Sequence, residues 1–199
     1  MKEALIIFVR NPVLGKVKTR LAAGIGDEKA LQVYKHLLQH TQSIAKSVSA
    51  TKFVYYADEI NTNDLWNGFE KKLQHGHDLG ERMEHAFQEI FAAGFLKVCI
   101  IGSDCFELTT DIIVNAFIGL DNADVVLGPV MDGGYYLLGT NRLIPDFFIN
   151  KDWSTETVFV YTLKDAAALK ISVTQLPLLN DIDTEKDLHN SPLAFLFDL

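Results

Sequence analysis

Long apolar runs, cysteine and positive charge are all in short supply in this chain. No apolar stretch approaches the length of a membrane span. The N-terminal run 4–9 is only six residues long and ends at Arg10, which makes it a strand rather than a signal sequence. The two cysteines, Cys99 and Cys105, lack CxxC spacing, and Cys99 sits inside an apolar run, which argues against a disulfide scaffold and for a reducing cytoplasm. Lys and Arg number 18 against 26 Asp and Glu, for a formal net charge of −8. That balance excludes a nucleic-acid polymer as partner, because such a partner demands a broad basic face. A nucleotide needs only a few local cations and stays open.

Several familiar motifs are missing too. Gly15-Lys16 is not followed by Ser or Thr and has no preceding glycine at Walker spacing, so there is no P-loop. Gly24-Ile25-Gly26 lacks the third glycine of a dinucleotide fingerprint. His36 and His40 have no Glu placed between them for a metalloprotease, His75 and His77 read as solvated loop residues, and no Gly-x-Ser-x-Gly elbow is present.

What is there alternates between strand and helix. Apolar runs predict strands at 4–9, 53–57, 98–101, 124–127, 135–138 and 171–176. Three- and four-residue spacing predicts helices at 27–48, 79–93, 110–120 and 154–169, with a short one near Leu65. With no repeat or linker, the reading is a single α/β domain over 1–199, with a mainly parallel sheet and helices on both faces. The irregular stretches 58–77 and 131–153 are long enough to build parts of a cleft.

Four cations, Arg10, Lys16, Lys18 and Arg20, crowd the segment after the first strand with no carboxylate among them. In open α/β sheets ligands sit beyond the carboxyl ends of strands, so this Gly15-containing loop is a candidate phosphate site; the alternative is a solvated charged loop. Asp104, in Gly102-Ser103-Asp104-Cys105, stands at the end of the most apolar strand, where a carboxylate is aimed into the crevice and suits a hard cation; otherwise it only turns the chain. Asp181-Ile182-Asp183-Thr184 places two carboxylates on one side of extended chain, although Thr184 to Asp187 also resembles a capping box. Asp132-Gly133-Gly134-Tyr135-Tyr136 offers close backbone approach and aromatic faces, or else a tight turn into a strand. Arg82, in the first turn of a helix started by Asp78 and Glu81, is a weaker anion candidate.

Taken in order, Lys16-Val17-Lys18-Thr19-Arg20-Leu21, Asp78-Leu79-Gly80-Glu81-Arg82-Met83, Gly102-Ser103-Asp104-Cys105, Asp132-Gly133-Gly134-Tyr135-Tyr136, Trp153-Ser154-Thr155 and Asp181-Ile182-Asp183-Thr184 resemble a bacterial family of GT-A-superfamily glycosyltransferase-like proteins, related to nucleotide-diphospho-sugar transferases. The N-terminal loop is also similar to that of the 2-phospholactate and molybdenum-cofactor guanylyltransferases. The resemblance implies a GT-A-like three-layer α/β/α sandwich around a mostly parallel mixed sheet. It implies Mg²⁺ or Mn²⁺ at Asp104 and Asp183, with Asp181 the lesser choice, and phosphate contacts from Lys18 and Arg20. Phe106 stands where similar sequences carry Pro, and Arg10-Asn11-Pro12 where they carry Lys-Ala-Pro.

The expected function is a metal-dependent glycosyltransferase with a nucleotide-sugar donor and a small-molecule acceptor. Lys18, Arg20, Asp104 and Asp132 form the expected catalytic set, and Arg10, Gly15, Lys16, Arg82, Gly133, Gly134 and Tyr135 the additional binding set. Nucleotidyl transfer from an NTP to a phosphate-bearing substrate, and a non-enzymatic nucleotide-binding domain, are the alternatives.

Overall fold

The structure, a computed structural model, describes residues 2–197. Among these, seven strands form one sheet in the order β3-β2-β1-β4-β6-β5-β7. The strands are β1 Glu3–Val9, β2 Thr51–Tyr56, β3 Glu70–Leu73, β4 Lys97–Ile101, β5 Val125–Pro129, β6 Tyr135–Thr140 and β7 Val173–Gln175. Only β6 runs against its neighbours; β1 pairs in parallel with β2 and β4, and β5 with β7. The α-helices are α1 Thr19–Ile25, α2 Asp27–Lys46, α3 Leu79–Ala92, α4 Thr110–Gly119, α5 Val158–Ala168 and α6 Glu185–His189.

Strand alternation splits the core into two layers. Leu5, Ile7 and Val9 of β1 face one way and pack with Tyr34 and Leu38 of α2 and Ile113 and Phe117 of α4. Ala4 and Ile6 face the other way and pack with Met83, Phe87 and Ile90 of α3 and Ala166 of α5. Both faces of the sheet are therefore covered, which is why the central strands read as unbroken apolar runs. The result is the three-layer α/β/α sandwich around a mostly parallel sheet.

A third, smaller cluster matters most for the site. Leu21 of α1, Ala30, Val33 and Leu37 of α2, and Ile182, Leu188 and Leu193 bury one another. It clamps the C-terminal segment onto the helices that follow β1.

Some expectations need correction. Residues near Leu65 form turns rather than a helix. The helix expected from 154 begins instead at Val158, because Ser154 has φ 64 and turns the chain left-handed. Two elements, α1 and β3, were not anticipated. Among the described residues no helix is long and apolar enough to cross a membrane.

Candidate functional site

β1 and β4 lie side by side in parallel register, Ile7 opposite Ile101, so the segments after each strand emerge together at the carboxyl edge of the sheet. The chain leaves β1 toward β2 on one side and β4 toward β5 on the other, which opens a crevice at that edge. One buried phenol ties the two segments. The Tyr34 hydroxyl accepts from the Arg10 N–H at 2.9 Å, donates to the Arg10 carbonyl at 3.2 Å, and lies 3.3 Å from the Ser103 hydroxyl. Asn11 anchors the same loop on its other flank: its carboxamide donates to the Glu59 carbonyl and accepts from the Asp58 and Glu59 N–H groups.

The centre of the site is Lys18. It takes the N-cap position of α1 with φ 48 and ψ 45, a left-handed conformation that costs a non-glycine residue about 1–2 kcal/mol. No side chain caps that helix end. The conformation turns the lysine side chain inward, where it is 7% exposed and its ammonium lies 3.2 Å from Asp104 and 3.6 Å from Asp183. Burial alone pushes this ammonium toward losing its proton, but the two carboxylates outweigh it and hold its pKa above the ordinary lysine value. Lys18 is therefore a fixed positive charge at the crevice floor.

Asp104 reaches the ammonium by folding back over Gly102. A Cβ at Gly102 would stand 2.8 Å from an Asp104 carboxylate oxygen, so the glycine makes room for the acid that follows it. The Asp181–Asp183 segment arrives by a different route. The Ile182 N–H donates to the Asp104 carbonyl at 2.9 Å, and the Asn180 N–H to Glu107 at 2.7 Å. Ile182 itself is 1% exposed in the third core cluster, so Asp181 and Asp183 project from the other side of the chain into the crevice. The capping box is real, but Thr184 and Asp187 form it, which leaves Asp183 free to face Lys18.

The carboxylates outnumber the lysine. Burial first, then the charges of Asp104 and Asp132, push the Asp181 carboxyl up to about 7, with Lys18 pulling the other way. Hard oxygen donors with negative charge to spare fit a divalent cation such as Mg²⁺ or Mn²⁺. Among the described residues no group of three or more His, Cys, Asp or Glu stands ready to hold a metal.

Other candidates fare differently. Arg20 is largely exposed on α1 and bonds Asp183 at 2.5 Å. The Arg10 and Lys16 side chains point to solvent, and Gly15 turns the loop at φ 72 beside Asp27. Arg82 donates to the Gly76 carbonyl and to Gln74, so it braces the loop before α3 rather than presenting itself to an anion. The close approach at Gly133 is to the chain itself: at φ 90, a Cβ there would meet the Glu156 carbonyl oxygen at 2.0 Å. Gly134 is held by its N–H donating to Asp132. The two tyrosines pack into opposite layers of the core. Tyr135 packs into the α3-side core with its hydroxyl toward the Met83 sulfur, and Tyr136 packs into the opposite layer with its hydroxyl on the Pro177 carbonyl. β6 lies inside the sheet, so alternation sends the two rings into opposite layers, Tyr136 buried and Tyr135, at the start of the strand, partly buried.

Asp132 does stand at the site, exposed at the mouth of a cleft of ≈ 490 Å³ between the 131–133 turn and the start of α5. Glu156, Thr157, Val160, Tyr161 and Lys164 complete its walls. The turn is joined to the carboxylate cluster, because the Met131 N–H donates to the Leu179 carbonyl. Sequence reasoning missed the α5 residues and Tyr34. Their only signal was polar and aromatic side chains on the outer face of a helix, or a lone tyrosine on an inner face.

Comparison with known proteins identifies the family. The bacterial family DUF2064, described as an uncharacterized protein conserved in bacteria, matches residues 39–155. The chain belongs to that family. The matched stretch contains Asp104 and Asp132; Lys18 and Asp183 lie to either side of it. A solved structure of a candidate nucleotide-diphospho-sugar transferase from Desulfovibrio desulfuricans G20 is 30% identical, with TM-score 0.88, covering 100% of this chain and 95% of that one. CMP:2-keto-3-deoxy-manno-octonic acid synthetase complexed with CTP matches in fold at 10% identity and TM-score 0.62, over the whole of both chains. So does Rv0371c in complex with manganese, from Mycobacterium tuberculosis H37Rv, at 9% identity and TM-score 0.60, covering 96% of this chain and 97% of that one. No curated protein matches the sequence.

Proposed function

We propose that this DUF2064 chain is a divalent-metal-dependent glycosyltransferase that takes a nucleotide-diphospho-sugar donor and transfers the sugar to a small acceptor. The observation that carries the reading is Lys18, buried between Asp104 and Asp183 at the carboxyl ends of β1 and β4. The description of the Desulfovibrio relative supports the same class of donor.

Each residue has a task in this reading. Asp104 and Asp183 hold the cation, with Asp181 beside them. Bound Mg²⁺ or Mn²⁺ supplies positive charge at the diphosphate oxygens. Lys18 lies next to that position and offsets the charge that builds on the diphosphate as it leaves. Its rigid, partly enclosed placement means little reorganisation at the moment of reaction. Arg20 reaches the same anion from the exposed rim by exchanging its bond with Asp183. Tyr34 and Asn11 keep the loop from spreading.

The test is a thermal-shift panel of NDP-sugars, NDPs and NTPs, with and without Mg²⁺ or Mn²⁺, on wild type and Asp104→Ala. A ligand at 100 times its Kd adds about 2.7 kcal/mol of stability. The expected result is a metal-dependent shift with an NDP-sugar that Asp104→Ala abolishes. A shift confined to NTPs, with pyrophosphate released on turnover, would replace glycosyl transfer by nucleotidyl transfer. No shift with any of them would remove the nucleotide altogether.

A further inference from the structure

The cleft beside Asp132 has a chemistry of its own. Its two carboxylates are Asp132 and Glu156, and among the described residues neither pairs with a cation. Its one cation, Lys164, lies 4.8 Å from the centre of the Tyr161 ring. Its apolar walls are unusually open: Met131 is 66% exposed, Val160 50% and Tyr161 46%. Single exposed apolar residues are ordinary, but here three surround one concavity of ≈ 490 Å³, a volume within the range of small-ligand sites.

We propose that this cleft is the acceptor site and that it takes an uncharged, hydroxyl-rich molecule of sugar or polyol type rather than a phosphate-bearing one. The proposal rests on the glycosyltransferase reading above and narrows it. Carboxylates accept hydrogen bonds from hydroxyl groups, the Lys164 ammonium donates to them, and the Tyr161 ring with the Val160 and Met131 side chains covers the C–H face of a ring or chain. The formal charge of the walls is negative, and Asp132 also acts on Asp181, so the field extends into the carboxylate cluster. Like charges brought together cost affinity, so a phosphate on the acceptor is opposed here. Nucleotidyl transfer to a phosphate-bearing substrate would need the opposite, because there the attacking group is the phosphate itself.

The geometry also gives the transfer a direction. The Asp132 charge reaches Asp181, and the turn that carries it is bonded through the Met131 N–H to the Leu179 carbonyl, so an acceptor hydroxyl held by Asp132 faces the donor. The acceptor oxygen bonds to C1 of the donor sugar, the bond from C1 to the β-phosphate oxygen breaks with its electron pair leaving on the diphosphate, and Asp132 takes the acceptor's proton.

The test uses protein labelled with ¹³C-methyl methionine and ¹⁵N. Met131 lies on the cleft wall, whereas Met83 is buried on α3 and serves as the internal control. Glucose, myo-inositol and glycerol are titrated in parallel with glucose 6-phosphate and glycerol 3-phosphate. The expected result is a saturable shift of the Met131 methyl by at least one neutral probe, with its phosphorylated counterpart binding at least tenfold more weakly. Tyr161→Ala should weaken the neutral probe, and Glu156→Gln should narrow the gap between the two forms. A phosphorylated probe that binds as well as its neutral form, or a Met131 signal that no probe moves, overturns the proposal. The nucleotide reading is scored separately, on the Ser103 and Asp104 amide signals with UDP or GDP and Mg²⁺. Its failure leaves those amides still, whatever Met131 does.

Discussion

Replacing Lys18 by Met keeps the length and apolar stem of the side chain and removes only the charge. The ammonium lies 3.2 Å from Asp104 and 3.6 Å from Asp183. At an effective dielectric of about 20, the closer pair alone attracts by about 5 kcal/mol. Asp104 is 44% exposed and recovers much of its hydration when the lysine goes, so the net loss is smaller. We expect about 3 kcal/mol, the low end of what removing one partner of a buried pair costs. For a protein of this size that is a fall in Tm of about 6–12 °C at pH 7.5. The variant leaves Asp104, Asp181 and Asp183 facing one another without a cation. Mn²⁺ should therefore stabilise Lys18→Met more than it stabilises wild type. Calorimetry at pH 7.5 and pH 5, with and without Mn²⁺, reads all of this; at pH 5 the deficit should shrink as Asp181 takes up a proton. A variant as stable as wild type at pH 7.5, or one indifferent to Mn²⁺, would refute the electrostatic account of the site.

Other predictions test the parts separately. The Asp181 carboxyl is pushed up to about 7 in the folded chain, so folding favours its protonated form; the stability tied to that form is complete below about pH 4 and is lost as pH rises through about 7. Asp181→Asn should therefore raise the Tm at pH 8 and leave it unchanged at pH 4, and a gain at pH 4 alone would contradict the assigned direction. Ile182→Ala should cost about 2–5 kcal/mol in denaturant unfolding by hollowing the third core cluster, and should weaken nucleotide binding because both flanking carboxylates lose their anchor. Gly133→Ala should open the 131–133 turn away from Glu156, seen as a loss of amide-exchange protection at Phe159, whose N–H donates to the Gly133 carbonyl; preserved protection would show that the contact is not tight.

Much of the fold was legible because the strands that matter most are covered on both faces. β4 reads as an unbroken apolar run ending at Gly102-Ser103-Asp104, and that ending marked the candidate site. Asp181 and Asp183 were legible because a single apolar residue separates them, and Ile182 is indeed the one that is buried. What stayed hidden has physical causes. The helix α1 has no side-chain cap and begins at a lysine with positive φ, a conformation that no sequence pattern marks. β3, Glu70–Leu73, is a short edge strand with three charged residues, so it carries no apolar signature. Gly133 announced a close approach, but the sequence did not say that its partner is the Glu156 backbone. Tyr135 and Tyr136 suggested aromatic faces for a ligand, and only the antiparallel insertion of β6 between β4 and β5 explains why Tyr136 is a core residue and Tyr135 packs against the other layer. The cleft residues on α5 escaped because periodicity reports the buried face of a helix, and Val160, Tyr161 and Lys164 are on the exposed one.

The most direct test of the central claim is a crystal structure of the protein with an NDP-sugar and Mn²⁺, read by the anomalous signal of the manganese. The account predicts a manganese peak against Asp104 and Asp183, with the donor diphosphate against Lys18 and the sugar directed toward Asp132. A nucleotide bound away from the carboxyl ends of β1 and β4, or a diphosphate out of reach of Lys18, would contradict it.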